Sequence, residues 1–207
     1  MEENATDPAA QAQTGNTLRR QRKWPQAAAA YQKARDHYRT RGDAAGQAAA
    51  IACMGAVYWE QAQIKKSVAC FEEAQQLLAT LPENQGHAIV EALWGLALWR
   101  QGHRTQALAQ IGGALKAGIS SVPEPFHPLV EAMQSAAAQL ENRLTREATG
   151  GNPHRALQAH LSLVPVYLCL GENKNALSHH SRAEALAREL ADPESLTALK
   201  ETQSLLA

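Results

Sequence analysis

Apolar residues recur along this chain at the three- and four-residue spacing of helices rather than the two-residue spacing of strands. In residues 48–81, Ile51, Met54, Gly55 and Tyr58 share one helix face, and Val68, Phe71, Ala74, Gln75 and Leu78 share a face of the next helix. A short polar turn from Gln61 to Lys66 separates the two. Three helix starts carry the same chemistry, an Asx residue to cap the free amides and a proline at the first helical position: Asp7-Pro8, Asn152-Pro153 and Asp192-Pro193. Ser121-Val122-Pro123-Glu124-Pro125 breaks the pattern, and a long helix follows from about His127 to Glu147. Thr149-Gly150-Gly151-Asn152-Pro153 is the clearest break. Pro165 falls inside a helical pattern and is expected to kink or end it.

The helix pairs repeat every forty residues. Gly15, Gly55 and Gly95 coincide, as do Leu18, Tyr58 and Leu98, then Ala27, Ser67 and Ala107. Tyr31, Phe71 and Ile111 fall in one column, with Ala34, Ala74 and Ala114 three residues on. The connectors keep register through Thr40, Thr80 and Ser120, and through Gly46 and Gly86. A small residue at a crossing lets two helix axes approach closely, and the large residue of the partner helix fills the space beside it. An ordinary bundle requires no such period.

The order Gly-x-x-Leu/Tyr, followed twelve residues after the glycine by Ala-x-x-x-Tyr/Phe-x-x-Ala, resembles the tetratricopeptide repeat. The resemblance covers residues 8–121 in three units, and departs at the usual first-helix tryptophan column, here Gln11, Ile51 and Glu91. The period also exceeds the family's 34 residues, as in its longer-repeat members. It implies an all-α solenoid, a right-handed superhelix of about ten helices in antiparallel pairs. The expected organisation is a disordered stretch 1–7, then one domain over 8–207. Its repeats are 8–41, 48–81 and 88–121, a degenerate 122–156, and an out-of-phase 157–190 carrying Tyr167, Gly171, Ala176, His180 and Ala183. A helix over 193–206, with Leu196, Leu199 and Leu206, is expected to cap the last apolar face.

Composition changes this picture little. Twenty basic and twenty acidic residues in 207 give zero formal charge, so bulk charge recruits neither nucleic acid nor an anionic membrane. No stretch is long and apolar enough to span a bilayer, and the start Met1-Glu2-Glu3-Asn4 lacks the character of a secretory signal. Cys53, Cys70 and Cys169 form an odd, dispersed set, which fits packed thiols in a cytoplasmic setting.

The search for chemistry finds no catalytic set, no metal site and no cofactor motif. No two of the eight histidines stand four apart on a helix; His179 and His180 point in different directions, and His180 occupies the column of Tyr31, where packing suffices. Gly150-Gly151 lacks a neighbouring lysine or strand. Eight basic residues between Arg19 and Arg41 meet one acid, Asp36, and read as a solvated face or as an end that meets an acidic protein through Asn16, Arg19 and Arg20. RNA is disfavoured because the run lacks interleaved aromatics for stacking.

The tryptophans sort by column. Trp24 and Trp94 occupy columns that in the resembled family pack between helices. Trp59 and Trp99 are forty residues apart, and their column faces the family's concave groove. Ala52 and Ala56, then Ile89, Ala92 and Leu96, would complete an apolar trough open to a partner. The family's carboxylate clamp is not expected, since Asn16 alone fits it and its lysine position is Ala12. The expected function is therefore an adaptor or scaffold, not an enzyme, whose groove takes an amphipathic helix or apolar peptide. A ligand-responsive regulatory module is the alternative, an unrecognised enzyme comes after it, and homo-oligomerisation is compatible with either.

Overall fold

The computed structural model describes residues 7–82, 85–119, 122–147 and 151–206. Met1 to Thr6, the connector residues Ser120 and Ser121, and the Thr149-Gly150 part of the second break lie outside the described residues. The described residues form ten α-helices and no strand. The helices are α1 (Pro8–Arg20), α2 (Trp24–Thr40), α3 (Ala44–Glu60), α4 (Ile64–Leu78), α5 (Gln85–Gln101), α6 (Arg104–Ala117), α7 (His127–Glu147), α8 (Pro153–Cys169), α9 (Asn173–Glu189) and α10 (Pro193–Gln203). Four antiparallel pairs, α1 with α2, α3 with α4, α5 with α6 and α8 with α9, stack through α2 on α3 and α4 on α5.

The three Asx-Pro starts form as the sequence predicts. Asp7 accepts from the Ala9 amide, Asn152 from His154 and Asp192 from Ser195. The repeat also shows itself in how first helices end. Arg22 (φ 58°), Ala62 (φ 58°) and Gly102 (φ 87°), again forty residues apart, adopt the left-handed conformation after α1, α3 and α5. That conformation turns the next amide back onto the helix: Lys23 donates to the Leu18 carbonyl, Gln63 to Tyr58 and His103 to Leu98. Glycine tolerates this backbone freely, whereas Arg22 and Ala62 are held in it by the turn they close.

The glycine column marks real close approaches. A Cβ on Gly15 would come within 2.7 Å of the Tyr31 ring, one on Gly55 within 2.8 Å of Phe71, and one on Gly95 within 2.9 Å of the Ala107 carbonyl oxygen. α8 does not end at Pro165, and the long helix expected from about His127 to Glu147 is present. A 3₁₀ turn at Glu124–Phe126 leads into the single long α7, which crosses α3 and α5 before packing on α8.

α3 is buried almost all round, from Ala48 to Val57 and at Trp59, and α5 nearly so. Their core is continuous with Phe126, Leu129, Ala132 and Met133 from the α7 region. A second cluster joins Leu157, Leu161, Ala183 and Ala187 to Leu199 of α10, so the last helix packs on α8 and α9.

Candidate functional site

The predicted trough residues do come together, but not as an open surface. Ala52, Ala56, Ile89 and Ala92 are fully buried, Leu96 is buried, and Trp59 is only 2% exposed. α7 causes this. Its residues Leu129, Ala132, Met133 and Ala136 follow the three- and four-residue spacing of one apolar face, and that face lies on α3 and α5. The helix-in-groove arrangement expected for a partner is therefore made within the chain. Trp99 alone of the trough residues is only half-buried. Trp24 and Trp94, expected as core, are half-buried at its margin, as Trp99 is, so Trp59 alone of the four tryptophans is buried.

The residues expected to meet an acidic partner are engaged internally. Arg19 is buried, donating to Glu60 Oε1 at 3.0 Å and to Glu131 Oε2. Arg20 donates to Glu131 Oε1 at 2.6 Å, and Asn16 Oδ1 accepts from the Tyr31 hydroxyl at 2.6 Å. Glu131 belongs to α7, so its ion pairs clasp α7 to α1, while Arg19 also pairs with Glu60 of α3. The hydrogen bond from Arg20, reinforced by the charges of both arginines, holds the Glu131 carboxyl below its ordinary range despite partial burial.

Where α7 passes the end of α5 a hollow of about 160 Å³ remains. Trp59, Leu96 and Trp99 form one wall, Leu140 of α7 and Val166 of α8 the other, with Arg100 and Arg143 at the rim. Arg100 donates to the Trp59 carbonyl at 3.3 Å, and its guanidinium lies 5.7 Å from the centre of the Trp59 ring. Burial, and then the nearby Arg143 cation, push Arg100 below its ordinary value. No carboxylate among the described residues pairs with Arg100 or Arg143. The buried Trp59 Nε1–H likewise finds no acceptor among the described residues.

A second polar cluster joins α7, α8 and α9, and sequence spacing gave no sign of it. His160 and His179 Nδ1 atoms are 2.8 Å apart, His179 Nε2 is 2.9 Å from Glu141 Oε1, and the Tyr167 hydroxyl donates to the same oxygen at 2.9 Å. His179 Nε2–H donates to the carboxylate, so in the neutral pair His179 Nδ1 accepts from His160 Nδ1–H. Both rings are buried. Burial, then the neighbouring His179 and Arg182, hold His160 down to about 4; burial also lowers His179, with Arg182 adding to it and Glu141 opposing. A histidine depressed in the folded state favours the neutral form there. Its contribution is fully present above about pH 6.5 and is lost as pH falls towards 4. Unfolding free energy is expected to drop by about 1–3 kcal/mol between about pH 7.5 and 4.5, and by less in His160→Gln. Equal losses in urea titrations of the two proteins would show that the pair does not titrate this way.

His180, as its column suggests, is packed, with Nε2–H donating to the Leu199 carbonyl at 3.0 Å. No group of histidine, cysteine and carboxylate side chains among the described residues could hold a metal ion. Burial pushes the thiols of Cys53 and Cys169 up to about 12 and that of Cys70 to about 11, far from nucleophilic character at neutral pH.

No family model and no curated protein matches this chain. Solved structures do. BtubC (BKLC) from P. vanneervenii superposes with a TM-score of 0.51 at 13% identity, over 89% of this chain and 65% of that one. Aspartyl phosphate phosphatase F from Bacillus subtilis gives 0.48 at 14% identity, over 96% of this chain and 55% of that one. The TPR2AB-domain–pHSP90 complex of yeast Sti1 gives 0.44 at 13% identity, over 96% and 89%. The chain thus spans less than two thirds of the first two proteins. At these identities the likeness is one of fold. Paired helices, a forty-residue period and small residues at each crossing make this chain an all-α solenoid of the tetratricopeptide-like kind.

Proposed function

We infer that this protein is an interaction scaffold that holds a peptide segment of another protein at the Trp99 end of its concave face, and that it binds without catalysing a reaction. One observation carries the reading: α7 covers the apolar trough over most of its length, yet leaves Trp99 half-buried beside a hollow walled by four helices. A large indole at the mouth of a small apolar cavity is the kind of anchor that interfaces use. The support for this reading is the cavity itself. The three free thiols fit a reducing, cytoplasmic setting.

The test is selection from a displayed library of random peptides of about twelve residues, in parallel on the parent and on Trp99→Ala. Trp99 is only half-buried, so the variant is expected to fold with a stability loss of about 1 kcal/mol. Peptides enriched on the parent are expected to bind the variant at least about tenfold more weakly. Equal enrichment on both proteins would overturn the reading.

A second reading is favoured by the clasp. α7 fills the groove as an amphipathic ligand would, and ion pairs hold it there. A ligand that displaced α7 would make this a responsive regulatory module, and amide exchange in residues 127–147 would then accelerate on binding.

A further inference from the structure

The proposed peptide site has an electrostatic character that its apolar walls alone do not convey, and the inference drawn from it rests on the reading just given. Arg100 ends α5 and Arg143 stands on the opposite wall, on α7. Several arginines elsewhere have a carboxylate close by: Arg19 and Arg20 beside Glu131, Arg35 beside Asp36, Arg104 beside Glu194, Arg188 beside Glu184. At the hollow two arginines face one space with no carboxylate from the described residues between them. Such a like-charge pair is an unfavourable arrangement until an anion enters. Arg100 cannot easily swing away, because it donates to the Trp59 carbonyl and lies over the Trp59 ring. Trp59 adds a buried Nε1–H without an acceptor, on the same wall.

Size narrows the occupant. A cavity of about 160 Å³ admits one side chain of leucine or phenylalanine size and little more. We propose that this site takes an acidic peptide segment in which one leucine- or phenylalanine-sized side chain is flanked by carboxylates. The apolar side chain enters between Trp59, Trp99 and Val166, and the carboxylates meet Arg100 and Arg143 at the rim. Arginine's planar fork can accept a carboxylate through two parallel hydrogen bonds, which favours this pairing over a diffuse charge effect.

The same displayed library distinguishes this from the broader reading. Sequences recovered on the parent are expected to combine a leucine or phenylalanine with neighbouring aspartate or glutamate. Arg143→Glu, on an exposed position of α7, is expected to weaken the recovered peptides at least about tenfold and to lose the acidic bias in a fresh selection. Lys174→Glu makes the same charge change at an exposed position of α9, and is expected to leave binding unaltered. Replacing the peptides' glutamates by glutamine should reproduce the Arg143→Glu loss, and raising salt from about 0.05 to 0.5 M should weaken the parent peptide more than its glutamine form. Circular dichroism of each variant confirms that the fold is kept. Trp99-dependent peptides without acidic bias, or binding indifferent to Arg143→Glu, would overturn the acidic assignment and leave the peptide site standing. No Trp99-dependent enrichment at all would overturn both.

Discussion

Trp59→Ala is expected to destabilise the protein by about 3–5 kcal/mol, the range for truncating a core tryptophan, while Trp99→Ala costs about 1. The two residues occupy the same column of successive repeats, so repeat position alone would assign them equal roles. Coverage separates them. Trp59 is 2% exposed, is enclosed in the core that α7 completes, and supports the Arg100 guanidinium on its ring. Removing its side chain leaves a large cavity and exposes the base of the peptide hollow. Collapse of α7 into the space would recover part of the loss, which sets the lower end of the range. Urea denaturation of the two single variants checks the difference. Similar, small losses from both would mean that α7 does not cover this face in solution, and the open trough would be restored.

The helices and their pairing were legible in the sequence because each column carries a packing constraint of its own. Gly15, Gly55 and Gly95 meet Tyr31, Phe71 and the backbone at Ala107, and a substitution in any of them is felt locally. What the repeat could not convey is what lies outside the repeat. α7 interrupts the period, and its placement depends on contacts distant in sequence, such as those between α7 and α3. One signal did exist. The stretch from Ala48 to Val57 offers no polar face, and a helix apolar all round has no side to give to water. Set beside the single apolar face of His127 to Glu147, it predicts that α3 is covered by that helix and that the trough is filled.

The polar clusters were illegible for a different reason. Arg19, Glu60 and Glu131 come from α1, α3 and α7, and only the crossing of α7 brings Glu131 to the Arg19–Glu60 pair. His160, His179 and Glu141 likewise come from three helices. Local periodicity identifies the face on which a side chain stands, and says nothing of a charge that arrives from another element.

The Arg19 cluster yields the second large effect. Glu60→Ala is expected to cost about 2–4 kcal/mol, because it removes one of two carboxylates from an arginine whose side chain is 4% exposed. Glu60 itself is 8% exposed at the side chain, and burial holds its carboxyl above the ordinary value despite the Arg19 charge. The pair is incompletely satisfied as it stands: Arg19 Nε and Glu60 Oε2 find no partner among the described residues. The loss on truncation therefore comes chiefly from leaving Arg19 buried with only Glu131, whose side chain is 34% exposed and so compensates less fully. Glu131→Gln, acting on the wetter partner, is expected to cost only about 1 kcal/mol, though it loosens the clasp that holds α7. The double replacement Arg19→Met with Glu60→Leu removes both buried charges at similar volume, and is expected to recover most of the Glu60→Ala loss. Urea melts of the three variants separate orphaned charge from lost packing. If the double replacement is as unstable as Glu60→Ala, the cost lies in shape, and the ion pair has no special part in anchoring α7 over the groove.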